Sequence, residues 1–156
     1  MSQTSPSDGQ PVAVEAPLLR LPKPPPDFVP EGWRATWQHF EPSTRDKEQA
    51  VLRGKPVRVS VWDGTLTSIE QARAFRQEPT LVLRLSVQDV LDVAARTKHP
   101  LHVVYEPLQP PDNARPGADG HAGIEGLEKV PGQPKTIRRA MLDALASRTE
   151  LIAGPS

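Results

Sequence analysis

The segment Gly117-Ala118-Asp119-Gly120-His121-Ala122-Gly123-Ile124-Glu125-Gly126-Leu127 sets one histidine and two carboxylates among four glycines. Histidine changes charge nearest neutral pH, and glycine lets a backbone approach a ligand closely, so this is where acid–base chemistry is sought first. On a helix, His121 and Glu125 would meet at four-residue spacing as a base with its carboxylate or as a metal pair. Gly120, Gly123 and Gly126 disfavour that helix. On a strand the two share a face but stand about 13 Å apart, four steps of ~3.3 Å, beyond hydrogen-bond reach. His121 therefore needs a carboxylate from another element, and Asp63 and Glu106 are the catalytic candidates beside it. Asp119, Gly120 and Glu125 are candidates for ligand binding. The plainer alternative is that Asp119-Gly120 is a turn leading His121 into an edge strand.

A second candidate is Asp63-Gly64-Thr65-Leu66-Thr67-Ser68. If the preceding strand is parallel to its neighbours, this loop lies where open α/β sheets bind ligands and where helix amides attract anions, which makes Thr65 and Thr67 ligand-binding candidates. Asp-Gly is equally ordinary turn chemistry. A third set, Lys135, Arg138, Arg139 and Arg148, could meet phosphate or form a solvated helix face, with Arg139 and Asp143 at pairing distance. His39, His99 and His102 lack metal spacing, and there is no Walker loop or dinucleotide fingerprint. No metal and no cofactor are expected.

Several elements must position these groups. Glu31–Phe40 spaces Trp33 and Trp37 as a short helix, and Ser43 with Asp46 caps a second that stops at Gly54. Val57, Val59 and Val61 alternate with polar residues as a strand. Thr67 with Glu70 predicts a capping box for a helix carrying Ile69, Ala72 and Phe75. Thr80–Leu85 reads as a strand, and Ser86 with Asp89 caps a helix bearing Val87, Val90, Leu91 and Ala94. Leu101–Tyr105 reads as a strand buried on both sides, Ile124 lies on a short strand, and Pro134 opens a last helix with Ile137, Met141, Ala144 and Leu145 on one face.

This order, βαβαββα, predicts a single α+β or small α/β domain over residues 31–150, with three to four strands and three to four helices. A polar tail follows over residues 151–156. Residues 1–30 hold eight prolines, which predicts a disordered arm with polyproline II character. The chain has 156 residues, 37% of them apolar and 4% aromatic, so one modest core is expected, with Trp33, Trp37 and Trp62 as its large anchors. Nineteen basic residues balance nineteen acidic ones, which removes the broad field of a general nucleic-acid binder. The chain has no cysteine, so disulfides and thiol chemistry are excluded. The amino terminus lacks a signal-peptide pattern and no run approaches the ~20 apolar residues of a membrane span, so a cytoplasmic protein away from membranes is expected.

Four blocks stand in order: Phe40-Glu41-Pro42-Ser43-Thr44-Arg45-Asp46, Val59-Ser60-Val61-Trp62-Asp63-Gly64, Thr67-Ser68-Ile69-Glu70-Gln71-Ala72 and Gly120-His121-Ala122-Gly123-Ile124. Together they resemble a group of small uncharacterised bacterial proteins over about residues 40–145. The resemblance implies a bacterial cytoplasmic accessory protein and draws attention to His121 and Asp63 without giving either a task. Small size, the proline-rich arm and an incomplete catalytic set favour a noncatalytic binding or accessory protein acting with a larger bacterial partner. The alternative is a small hydrolase or group-transfer enzyme using His121 with a carboxylate contributed by another element.

Overall fold

The computed structural model describes residues 5–155; residues 1–4 of the arm and residue 156 of the tail lie outside it. Its centre is a six-stranded sheet in the order β4-β5-β2-β1-β3-β6. The strands are β1 (Pro17–Arg20), β2 (Arg58–Asp63), β3 (Val82–Ser86), β4 (His102–Tyr105), β5 (His121–Glu125) and β6 (Glu150–Ala153). The helices are α1 (Thr44–Arg53), α2 (Ile69–Ala74), α3 (Val87–Thr97) and α4 (Lys135–Ser147). Every pairing is antiparallel.

The expected three- to four-stranded sheet behind a disordered arm is thus corrected, and the arm is the reason. Its β1 inserts between β2 and β3, pairing Leu19 with Trp62 on one side and with Arg84 on the other. Strands β2, β3 and β4 do run in one direction, as a βαβ reading requires, but β1 and β5 lie between them in the opposite direction. Each ladder is antiparallel in consequence. Earlier in the arm, Val12 N–H donates to the Val103 carbonyl and Tyr105 N–H to the Gln10 carbonyl, so the arm also covers the outer side of β4. Covering that edge satisfies backbone groups that would otherwise invite another chain. Proline-rich composition signalled missing donors, but Leu18, Leu19 and Leu21 supply enough apolar surface to hold the segment in place, all of them buried. At the other end, β6 arises from residues read as the last of the domain and its polar tail, and pairs with β3.

Alternation along the strands divides the core in two. Val59, Val61, Ala122 and Ile124 face α3 and α4, together with Leu18, Leu85 and the fully buried Phe40. Trp62, Leu19 and Val82 face the other way, against Ala72 of α2. Burial of a large apolar side chain contributes about 1.5–3 kcal/mol, so the helix-covered face holds most of the stability. Of the three tryptophans only Trp62 is buried; Trp33 and Trp37 are half-exposed, and a single 3-10 turn at Trp37–Phe40 replaces the helix expected over residues 31–40.

Local signals held where side chains cap backbone. Ser43 Oγ accepts from Asp46 N–H and Asp46 answers to Ser43 N–H; Ser86 and Asp89 repeat the arrangement at α3. At α2 the box is one residue later than Thr67–Glu70 predicts, formed by Ser68 and Gln71. Thr67 turns inward instead, its hydroxyl donating to the Gly117 carbonyl at 2.7 Å. No helix among the described residues is long and apolar enough to cross a membrane.

Candidate functional site

The sheet face opposite α3 and α4 is only partly covered by α2, and a cleft of about 920 Å³ opens beside it, bordered by α1. Arg58, Ser60 and Trp62 reach it from β2 and His121 from β5. Register brings them together: Trp62 pairs with His121, Ser60 with Gly123 and Arg58 with Glu125. In an antiparallel pair such neighbours share a face and their diagonals lie within side-chain reach.

His121 is held at both ring nitrogens. Nδ1 lies 2.8 Å from the backbone carbonyl of Glu106, and Nε2 lies 2.9 Å from Ser60 Oγ. A carbonyl only accepts, so Nδ1 carries the proton, Nε2 presents its lone pair, and the Ser60 hydroxyl donates to it. Burial pulls the His121 pKa below its ordinary value; the guanidiniums of Arg76 and Arg53 act in the same sense, against the Glu106 carbonyl and carboxylate. The ring is accordingly neutral at neutral pH. Trp62 makes an edge contact with it, ring centroids 4.9 Å apart, and stacks on Phe75 at 4.8 Å. The Trp62 Nε1–H is buried and has no acceptor among the described residues.

The carboxylates expected beside His121 are placed otherwise. Glu106 comes to the histidine through its main chain, while its side chain accepts from Arg58 at 3.0 Å and lies 3.7 Å from Arg53. Glu125 accepts from Arg58 Nε at 2.8 Å and Asp8 from Arg58 Nη1 at 2.9 Å. Burial disfavours the Arg58 charge, but hydrogen bonds to Glu125, Asp8 and Glu106 outweigh it and raise the pKa above its usual value. Gly123 leaves the space for this, since a Cβ there would stand 2.6 Å from Arg58 Cβ. Asp63 points to the other face, where it accepts from the Tyr105 hydroxyl and from the amide and hydroxyl of Thr65. With no parallel neighbour, the Asp63–Thr67 loop loses the strand-end geometry on which its ligand reading rested. Thr65 and Asp119 are exposed, and Asp119 accepts from the Ser5 hydroxyl. Gly120 packs its backbone on Thr67, and β5 lies inside the sheet rather than at its edge.

The cleft has a property that no local pattern announces. Six arginines line it, Arg20, Arg45, Arg53, Arg58, Arg76 and Arg115, with Lys23 and Lys55, against the four carboxylates Asp46, Glu78, Glu106 and Asp112. Lys23 pairs with Glu78, Lys55 with Asp8 and Arg115 with Asp112. Arg20, Arg45 and Arg76 have no ion pair among the described residues. Arg20 donates instead to the backbone carbonyls of His39 and Ser60, each at 3.0 Å. Its pKa falls to about 10 through burial and then through Arg76, with Asp46 opposing. Arg76 is lowered by burial and by Arg45, again opposed by Asp46. Arg20 and Arg76 thus share one carboxylate, with Arg45 repelling Arg76, and that carboxylate already accepts the Ser43 amide at the start of α1.

Three of the four basic residues near α4 are spent within the molecule, and Lys135 is exposed. Arg138 binds Glu41 and the Leu127 carbonyl, Arg148 binds Asp89, and Arg139 lies 4.0 Å over the Trp37 ring. Asp143 accepts from the Trp37 amide, which takes it from the pairing expected with Arg139. No group of three or more potential ligands among the described residues is placed to hold a metal ion. No family model, curated protein or solved structure matches this chain.

Proposed function

We propose that the protein binds a small ligand carrying more than one phosphate-like anionic group in the cleft between α1 and the open sheet face. The observation that carries this reading is the convergence of Arg20, Arg45 and Arg76 without a carboxylate partner of their own. Clustered, partly desolvated guanidiniums repel one another, and a bound anion relieves the repulsion while accepting charge-assisted hydrogen bonds in the planar fork geometry that arginine offers. This differs from the binding expected from the sequence, which was to a larger bacterial partner. The cleft now takes the place of the proline-rich arm as the contact, because much of the arm is pinned along β4 and inside the sheet.

Isothermal titration calorimetry with sodium pyrophosphate at low ionic strength tests the reading. One saturable site is expected, its affinity weakening as sodium chloride is added. Arg76→Gln should weaken it by about tenfold or more, the usual consequence of losing a charged hydrogen bond. Absence of saturable heat at millimolar pyrophosphate, or equal affinity in Arg76→Gln, would show that the arginines serve another purpose.

A further inference from the structure

We infer that Ser60 is a nucleophile and His121 its general base, so that an anionic phosphoester held by the arginines is a substrate for transfer to serine and hydrolysis. The inference rests on the anion-binding reading for its substrate class and on separate geometry for its chemistry. Three observations carry that geometry. The Ser60 hydroxyl donates to Nε2 of His121 at 2.9 Å, the contact a base needs to take the proton as the oxygen attacks. Nδ1–H is fixed by the Glu106 carbonyl at 2.8 Å, so the ring is held in the one tautomer that leaves Nε2 free to accept. Both side chains line the cleft that holds the arginines.

This arrangement has the logic of a nucleophile, a base and a group orienting the base, with a main-chain carbonyl in the orienting place. A carbonyl fixes the ring without lending it a full negative charge. The groups facing His121 otherwise are Arg76 and Arg53, which disfavour its protonated form, and the Glu106 carboxylate, which favours it. Beside the pair, Trp62 also borders the cleft and holds the His121 ring by an edge contact, ring centroids 4.9 Å apart.

In the first step Ser60 Oγ attacks phosphorus. The Oγ–P bond forms as the bond from phosphorus to the leaving alcohol oxygen breaks. The hydroxyl proton moves to His121 Nε2 and stays there, while the leaving oxygen, which in-line attack sets on the far side of phosphorus, takes a proton from water in the open cleft, giving phosphoserine and a free alcohol. In the second step water attacks the phosphoserine from the far side and releases its proton to solvent, which replaces the one taken in the first step, while protonated Nε2 returns its proton to Oγ as the Oγ–P bond breaks. The products are inorganic phosphate and the restored serine. The sum is one phosphomonoester and one water giving one alcohol and one phosphate, with no oxidant or further reactant.

The test uses the full chain and p-nitrophenyl phosphate. Release of p-nitrophenol is expected, and acid quenching during turnover should leave one phosphoryl group on the peptide containing Ser60. Ser60→Ala should abolish both, and His121→Gln should slow release by about 100-fold or more, the lower range for loss of a general base. Folding of each variant is checked by its melting temperature. Wild-type release no faster than that of a folded Ser60→Ala variant overturns the proposal, as does phosphate recovered on a different residue. Protein that binds pyrophosphate yet releases no p-nitrophenol refutes the nucleophile and leaves the anion site standing. Protein that releases p-nitrophenol through Ser60 without binding pyrophosphate does the reverse.

Discussion

Ser60 on β2 and His121 on β5, 61 positions apart in the chain, share a 2.9 Å hydrogen bond on the face of the sheet that opens to the arginine-lined cleft. The bond exists because Ser60 stands one register step from the Trp62–His121 pair. His121 therefore has a hydroxyl, and not a carboxylate, at its free nitrogen.

That environment gives the protein a sensitivity to mild acid. His121 is lowered by burial, with Arg76 and Arg53 adding to it and Glu106 opposing; His39 is lowered by burial and Arg20, with a Thr36 backbone bond opposing. Below a pH of about 6.5 the unfolded chain binds more protons at these rings than the folded one, so stability falls as pH drops through that value toward the folded pKa values. Urea midpoints should decline between pH 7 and 5, and His39→Gln and His121→Gln should each flatten the decline. Equal slopes in wild type and both variants would contradict this. Asp8 and Asp89 occupy a lower window. Burial would raise both, but Lys55 and Arg58 in one case, and Ser86 and Arg148 in the other, hold them below the usual carboxylate value. Their contribution is lost only below a pH of about 4.

Arg58 holds Asp8, Glu106 and Glu125 at one point, and its own side chain is only 7% exposed. Arg58→Met keeps the stem and leaves three carboxylates without their cation, which should cost about 3 kcal/mol in urea unfolding at pH 7. Glu125→Gln removes one charge and keeps an acceptor, so its cost should be nearer ~1 kcal/mol. A smaller loss for Arg58→Met than for Glu125→Gln would mean that the cluster is held by something other than the guanidinium.

At Gly120 there is no room for a side chain. A Cβ would stand 1.9 Å from Thr67 Oγ1, in contact with the hydroxyl that binds the Gly117 carbonyl. Gly120→Ala should destabilise by about 1–3 kcal/mol, as overpacking does. Thr67→Ala removes the clashing atom, so the double variant should be more stable than the two single losses added together, which a double-mutant cycle measures. Strict additivity would place the clash elsewhere.

The three unpaired arginines predict a stability that depends on anions. In chloride buffer at low ionic strength, Arg76→Gln removes repulsion from Arg20 and Arg45 and should leave the melting temperature unchanged or higher. Pyrophosphate should raise the wild-type melting temperature, by an amount equivalent to about 2.7 kcal/mol at a hundred times its dissociation constant. Thermal scans with and without pyrophosphate check both statements. A lower melting temperature for Arg76→Gln without ligand would show that Arg76 is structurally satisfied.

Features that a few neighbouring residues decide among themselves were legible before any fold was known. Ser43 with Asp46 and Ser86 with Asp89 cap their helices because each cap joins groups three positions apart. Val59 and Val61 choose their face because alternation is a property of one strand, and the separation of His121 from Glu125 by about 13 Å, four strand steps, follows from the same geometry. The remainder depends on contacts between residues far apart in the chain. Proline-rich composition hid β1, whose place between β2 and β3 depends on backbone groups contributed by both. Ser60 had no local signal, being one polar residue in an alternating strand until β5 brought His121 beside it. Asp63, which the sequence offered as a partner, went to Tyr105 on the opposite face, and Glu106 gave His121 its main-chain carbonyl while its carboxylate went to Arg58. A balanced overall charge hid the arginine cleft, since net charge sums over the whole chain and the electrostatics of a site depend on which few groups the fold gathers there.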